Sequence, residues 1–292
     1  MAIVAGTVSI PGPVKIHEDA DMWVSDDLYI GPHTVIKKGF KVRCRSLHIG
    51  THCYIHENIE IGFGGCMGPN AHVYIDDYVG IFYGTRINCA EPVHIGKYCG
   101  IGDMINIWTH GSWLPVVEGF PPQKQGPVWI GDKVWLPSRC QILAGVTIGD
   151  NVVCGAGTLI NKDLPGGCFA AGVPAKVKAE NVYPKPLTAD ELMVMGEVLR
   201  DQYLIIAEDK GFKPDIDIRA AIVTDYPELD STYLWFKYQD ELVGFNLQHP
   251  ELTDLHDISE CAEDFRDFLR RNGFKFYNGG FFRSMLPLRF AR

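Results

Sequence analysis

One histidine stands where an otherwise regular sequence loses its regularity. In "INIWTHGSWLPVVEGFPPQKQGPVWIGDKVW", Ile105 to Trp135, His110 lies between Trp108 and Trp113. An imidazole of ordinary pKa, near ~6.5, takes a proton at neutral pH, so it suits a hydroxyl or ammonium nucleophile that must be deprotonated. A positioned general base is worth about 10² to 10⁴ in rate. Glu118, in the same stretch, is a candidate to orient that imidazole or to receive an amine. Phe82, Tyr83, Trp108 and Trp113 carry rings able to stack on a sugar or a base, or to hold a loop on its scaffold. Asn88 lies near the corner from which this stretch leaves, and His94, in "EPVHIGK", is expected to point outward near the same edge.

The elements that must position these residues follow from a six-residue rhythm. Aliphatic anchors recur as Ile30, Ile36 and Val42, then Ile49, Ile55 and Ile61, then Ile75, Ile81 and Ile87. They continue as Ile95, Ile101 and Ile107, then Ile130, Leu136 and Ile142, then Ile148, Cys154 and Ile160. A weaker first series reads Ile10, Ile16 and Met22. Three hexads make one turn of a three-sided coil, and successive turns carry surpluses of 1, 8, 2, 17 and 0 residues. Every surplus falls after a third hexad, so all loops leave one corner, and the longest carries His110. Stacked coils bury what a single coil cannot. A glycine after many anchors (Gly31, Gly50, Gly62, Gly96, Gly102, Gly131, Gly149, Gly155) fits corners that need positive φ or exclude a side chain. The expected fold is a parallel β-helix.

The pattern resembles the hexapeptide-repeat acyltransferases, whose fold is a left-handed parallel β-helix. The resemblance covers roughly residues 1–180. It is strongest from Pro127 to Lys178, through "PVWIGDKVW" to "AAGVPAKV", where the chain is similar to the maltose- and galactoside-acetyltransferase and sugar-acyltransferase branch. It implies acetyl-CoA or another acyl-CoA as co-substrate, no metal, and a homotrimer with the coenzyme between neighbouring prisms. "WTHGSW" matches a family segment in which the histidine is general base, with Gly111 where Pro is common. Ser138 and Ala156 then fall along the pantetheine arm, Asn161 and Lys162 approach the coenzyme, and Lys176 and Lys178 meet its phosphates. Gly145 permits close backbone approach. The implied acceptor is a hydroxyl or amino group of a sugar or nucleotide-linked sugar. The acceptor side matches less well, since Phe82 stands where relatives place an Asn. A zinc hydratase shares the fold but needs three converging histidines, and His52, His56, His72, His94 and His110 lack its spacing. A non-catalytic β-helix scaffold, with a C-terminal module that recruits a partner, is the alternative from another class.

Composition sets the remaining bounds. The net charge of −9 argues against a nucleic-acid surface. No apolar run approaches the roughly 18 residues of a membrane span, and the first residues lack a basic, then apolar, signal. Nine scattered cysteines without a CxxC pair read as buried thiols. These features together favour the cytoplasm. Beyond residue 180 the hexads stop, and 181–292 reads as a smaller α+β domain. "TADELMVMGEVLRDQYLIIAEDKG" has a T-x-x-E capping box and a glycine stop. "IRAAIVTDY" and "STYLWFKYQDELVGF" read as strands, "ISECAEDFRDFLRRNG" as an amphipathic helix, and "FKFYNGGFF" as a last strand. The aromatic, arginine-bearing "GGFFRSMLPLRFAR" is a candidate contact for a large acceptor or a packing segment.

Overall fold

The computed structural model describes residues 2–66, 68–111, 113–122, 124–223 and 226–285, with side chains described outside 221–230. The chain divides into two compact units, Met1–Lys185 and Pro186–Arg292. The segment 286–292, which ends the arginine-bearing stretch, lies outside the described residues.

The first unit is a three-sided parallel β-helix in the register that the hexads prescribe. On the first face Ile30, Ile49, Ile75, Ile95, Ile130 and Ile148 pair in succession. On the second, Ile16, Ile36, Ile55, Ile81, Ile101 and Leu136 do so. On the third the column runs Met22, Val42, Ile61, Ile87, Ile107, Ile142 and Ile160. The anchors are nearly all fully buried and form one continuous core. The weak first series is therefore a true coil on its second and third faces. Phe169–Ala171 ends the second face and turns back antiparallel through Lys176–Ala179.

The glycines after the anchors answer mainly to crowding. A Cβ on Gly31 would lie 2.6 Å from the Gly50 carbonyl carbon, and one on Gly96 would lie 2.7 Å from that of Gly131. Of that expected set only Gly62 has positive φ. The left-handed residues stand two positions later: His33, His52, Tyr78, Tyr98, Lys133 and Asn151 at the corner between first and second faces. Gly39, Asn58, Gly84, Met104, Arg139 and Gly157 do the same between second and third. At the first corner these side chains stack coil on coil, with His33–His52 and Tyr78–Tyr98 centroids each 4.7 Å apart. Aspartates cap the same corner: Asp77 accepts from the Thr51 N–H and Asp132 from the Lys97 N–H, both at 2.8 Å. The third corner has no such repeat, and it emits the loops.

The second unit packs two helices against an antiparallel sheet of Asp215–Val223, Tyr226–Tyr238 and Glu241–Asn246. Helix α1 spans Ala189–Asp209 and opens with the capping box, Thr188 Oγ1 accepting from Glu191 N–H at 3.2 Å. Helix α2 spans Glu260–Arg271, with Ser259 as N-cap and Arg270 and Arg271 in its last turn. The segment expected as a last strand is not one. Its fully buried Phe276 plugs the core, while Gly280 O accepts from Arg266 Nη2 at 2.7 Å and Thr253 O accepts from Asn278 Nδ2. Side chains pin it, so it needs no ladder. Asp264 of this unit, wholly buried, accepts from Lys210 Nζ and Tyr203 Oη at 2.7 Å each.

Candidate functional site

The third corner brings two insertions together, residues 62–71 and 108–127, one coil apart from Asn88. Asn88 and Trp108 each follow a third-face anchor, so they are equivalent positions on successive coils. Asn88 is fully buried, and its amide is spent within the chain. Its Nδ2 donates to Phe63 O at 2.8 Å, which fixes Oδ1 as the acceptor. Oδ1 accepts from Thr109 Oγ1 at 2.7 Å and lies 2.8 Å from His110 Nδ1. His110 Nδ1 must therefore carry a proton and donate, so in the neutral ring Nε2 is the atom with the lone pair. The backbone is held too: His110 pairs with Gln125 in a short antiparallel ladder, and Gly126 N–H donates to the buried Thr109 carbonyl at 3.0 Å. The result is a half-buried imidazole of fixed tautomer at the mouth of a corner.

Asn88, a candidate for the acceptor side by its place near the corner, is instead buried, with its amide taken up by Phe63, Thr109 and His110. Behind it the Cys89 thiol is pushed far up, first by its hydrogen bond with the free Cys66 thiol and then by burial. Burial also pushes Cys44 up to about 12. These thiols fill space and offer no nucleophile. Trp108 meets Phe63 edge to face with centroids 5.2 Å apart. Trp113, at 96% exposed, and Glu118, on the exposed turn Val116–Glu118, stand clear of the imidazole's hydrogen bonds. His94 does not join the corner. It lies outward on the first face, 3.3 Å from Asp76 Oδ2 and with its ring 5.4 Å from that of Trp129.

The residues expected on the coenzyme side fall in three places. Ser138 and Ala156 line a groove of about 590 Å³ at the second corner, with Tyr83, Asp103, Met104, Arg139 and Gly157. Tyr83, expected on the acceptor side, is there rather than beside His110. Gly145 lies on the third corner with φ +77°; a Cβ on Gly126, at the end of the His110 loop, would sit 2.7 Å from its Cα, whereas a Cβ on Gly145 itself would meet nothing within 4 Å. Asn161 and Lys162 follow the last third-face anchor. Lys176 and Lys178 stand exposed on the returning edge strand of the second face. Within one chain the groove and His110 occupy different corners. Among the described residues no three His, Cys, Asp or Glu side chains converge as a metal site. Thr109 and Phe63 went unnoticed in the sequence. Counting one coil back from Trp108 to Asn88 is the signal that leads to them.

Six-residue repeats, three to a coil, thus build a three-sided parallel β-helix whose third corner carries the loops and His110. Residues 127–162 match the family model described as bacterial transferase hexapeptide (six repeats). Galactoside O-acetyltransferase of Escherichia coli strain K12 is 52% identical over 54 residues, 18% of this chain and 27% of that protein. The galactoside O-acetyltransferase of Lactococcus lactis subsp. lactis strain IL1403 is 32% identical over 131 residues, 44% of this chain and 61% of that protein. A solved galactoside acetyltransferase in complex with coenzyme A is 27% identical, covering 48% of this chain and 71% of its own, with a TM-score of 0.39. The chain spans between 27% and 61% of the length of the curated relatives it matches.

Proposed function

We propose that this chain transfers an acyl group, acetyl in the first instance, from a CoA thioester to a hydroxyl or amino group of a sugar or nucleotide-linked sugar. The observation that carries it is the bond from His110 to Asn88, which in the neutral ring makes Nε2 the proton acceptor. Nε2 takes the proton of the acceptor O–H or N–H as that atom attacks the thioester carbonyl. A tetrahedral oxyanion forms, the C–S bond breaks, and the proton returns from Nε2 to the departing thiolate. The similarity of residues 127–162 to the hexapeptide transferases supports the choice of donor. The groove beside Ser138 and Ala156 suits an extended pantetheine, with its amides exchanging bonds along a coil edge. Because the groove and His110 lie on different corners, the reading includes a homotrimer in which one chain's His110 serves its neighbour's groove. Lys176 and Lys178 then supply point charges for the phosphates.

Thiol release from acetyl-CoA in the presence of candidate acceptors tests this. Acceptor-dependent release is expected, with kcat/KM falling about 10² to 10⁴ in His110→Ala. Full activity in that variant removes the base. Absence of CoA binding at millimolar concentration removes the acyl-transfer reading and leaves a β-helix scaffold.

A further inference from the structure

Beside His110, on the same corner, lies a cluster that proton transfer does not use. The Arg86 guanidinium sits over the Phe63 ring, 4.0 Å from its centroid, and Trp108 meets the same ring edge to face. Arg86 Nε and Nη2 both lie 2.9 Å from one oxygen, Oε2 of Glu60, in register one coil away. Both side chains are more than a third exposed. Nη1 of Arg86 and Oε1 of Glu60 take no further protein partner among the described residues. The cluster and the base share one frame. Phe63 O holds the Asn88 amide that holds His110, and Trp108 precedes Thr109, which shares the Asn88 oxygen.

An ion pair this exposed adds little to stability. What it presents is a guanidinium donor and a carboxylate acceptor on the same ion pair, next to the Phe63 and Trp108 rings. Two adjacent hydroxyls of a ring match that pair, one donating to Oε1 and the other accepting from Nη1, with the ring's C–H face toward Phe63 and Trp108. A carboxylate at the same place meets a guanidinium already neutralised by Glu60, and the Glu60 charge repels it.

We infer that Arg86 and Glu60, with Phe63 and Trp108, form a specificity-determining acceptor subsite that selects an uncharged ring with adjacent hydroxyls over an anionic one. The inference rests on the acyl-transfer reading for its turnover but not for its binding. The test uses the full chain with methyl glucopyranoside and the corresponding glucuronide. Acceptor-dependent thiol release and saturation-transfer NMR binding are both measured. The wild type is expected to favour the uncharged ring. Glu60→Gln, close to isosteric, frees the guanidinium and moves the preference toward the glucuronide by about tenfold or more in both measurements. Arg86→Gln weakens both ligands without that reversal, and circular dichroism confirms that each variant is folded. If thiol is released but the ratio moves less than twofold in Glu60→Gln, the subsite is wrong and the acyl-transfer reading stands. If binding shifts without thiol release by any chain, the subsite stands and the acyl-transfer reading falls. An unshifted binding ratio without thiol release overturns both.

Discussion

At the scale of single residues, the site turns on which atom of an amide faces which neighbour. Asn88 is the only link that tells the His110 imidazole where to keep its proton among the described contacts. Asn88→Leu keeps the volume and removes the acceptor. Its kcat is expected to fall by about tenfold or more, within the range a positioned base commands, with KM for acyl-CoA little changed. The pH–rate profile should lose its shape as well, because a freed ring samples both tautomers; an unaltered profile with lower kcat would mean that Asn88 serves only the fold. His110 was legible in the sequence, because it interrupts a counted rhythm. The role of Asn88 was not, since spacing gives the coil position of a side chain but not the end to which its amide is tied. Tyr83 shows the same limit: its register was readable, yet it belongs to the second corner with Ser138.

At the scale of elements, legibility follows how strictly geometry repeats. Each hexad anchor found its partner because a shift of one residue would turn the whole column outward. "FKFYNGGFF" alternates as a strand should, but among the described residues it forms no strand, and hydrogen bonds from Arg266 to Gly280 O and from Asn278 to Thr253 O tie it down instead. That segment runs on to a carboxylate-lined face of α2, where Glu263 Oε1 accepts from the Arg283 N–H at 3.0 Å. Burial pushes the Glu263 carboxyl up to about 7, against the opposing pull of Arg266 and Arg283 and with Asp267 adding to the rise. A raised folded-state pKa means that the folded protein holds the proton more tightly. Its contribution is complete below the ordinary value of 4.5 and is lost as pH climbs through 7. Glu263→Gln keeps an oxygen for Arg283 and carries no charge. Its unfolding free energy should come close to the wild type's near pH 5 and exceed it at pH 8, by at most about 3 kcal/mol. Equal curves at both pH values would show that Glu263 is hydrated.

At the scale of the whole molecule, His110 on one corner and the groove on another make the proposed reaction one that two chains would share. Mixing inactive His110→Ala chains with chains whose groove is blocked by Ser138→Trp, then unfolding and refolding them together, should restore part of the activity. Some interfaces then pair an intact histidine with an intact groove. No recovery, with mixed oligomers demonstrated by mass spectrometry, would place the whole site within one chain. The β-helix itself also divides labour among its edges. Two corners are built to a fixed length by left-handed residues, the first of them also by stacked rings and aspartate caps, while the third carries surpluses of 1, 8, 2, 17 and 0 residues over the same core. Closing a longer excursion from an anchored pair of strand ends costs only a logarithm of its length. One edge of this prism is therefore a socket: chain can be spliced into it, or trimmed from it, without any coil above or below having to turn.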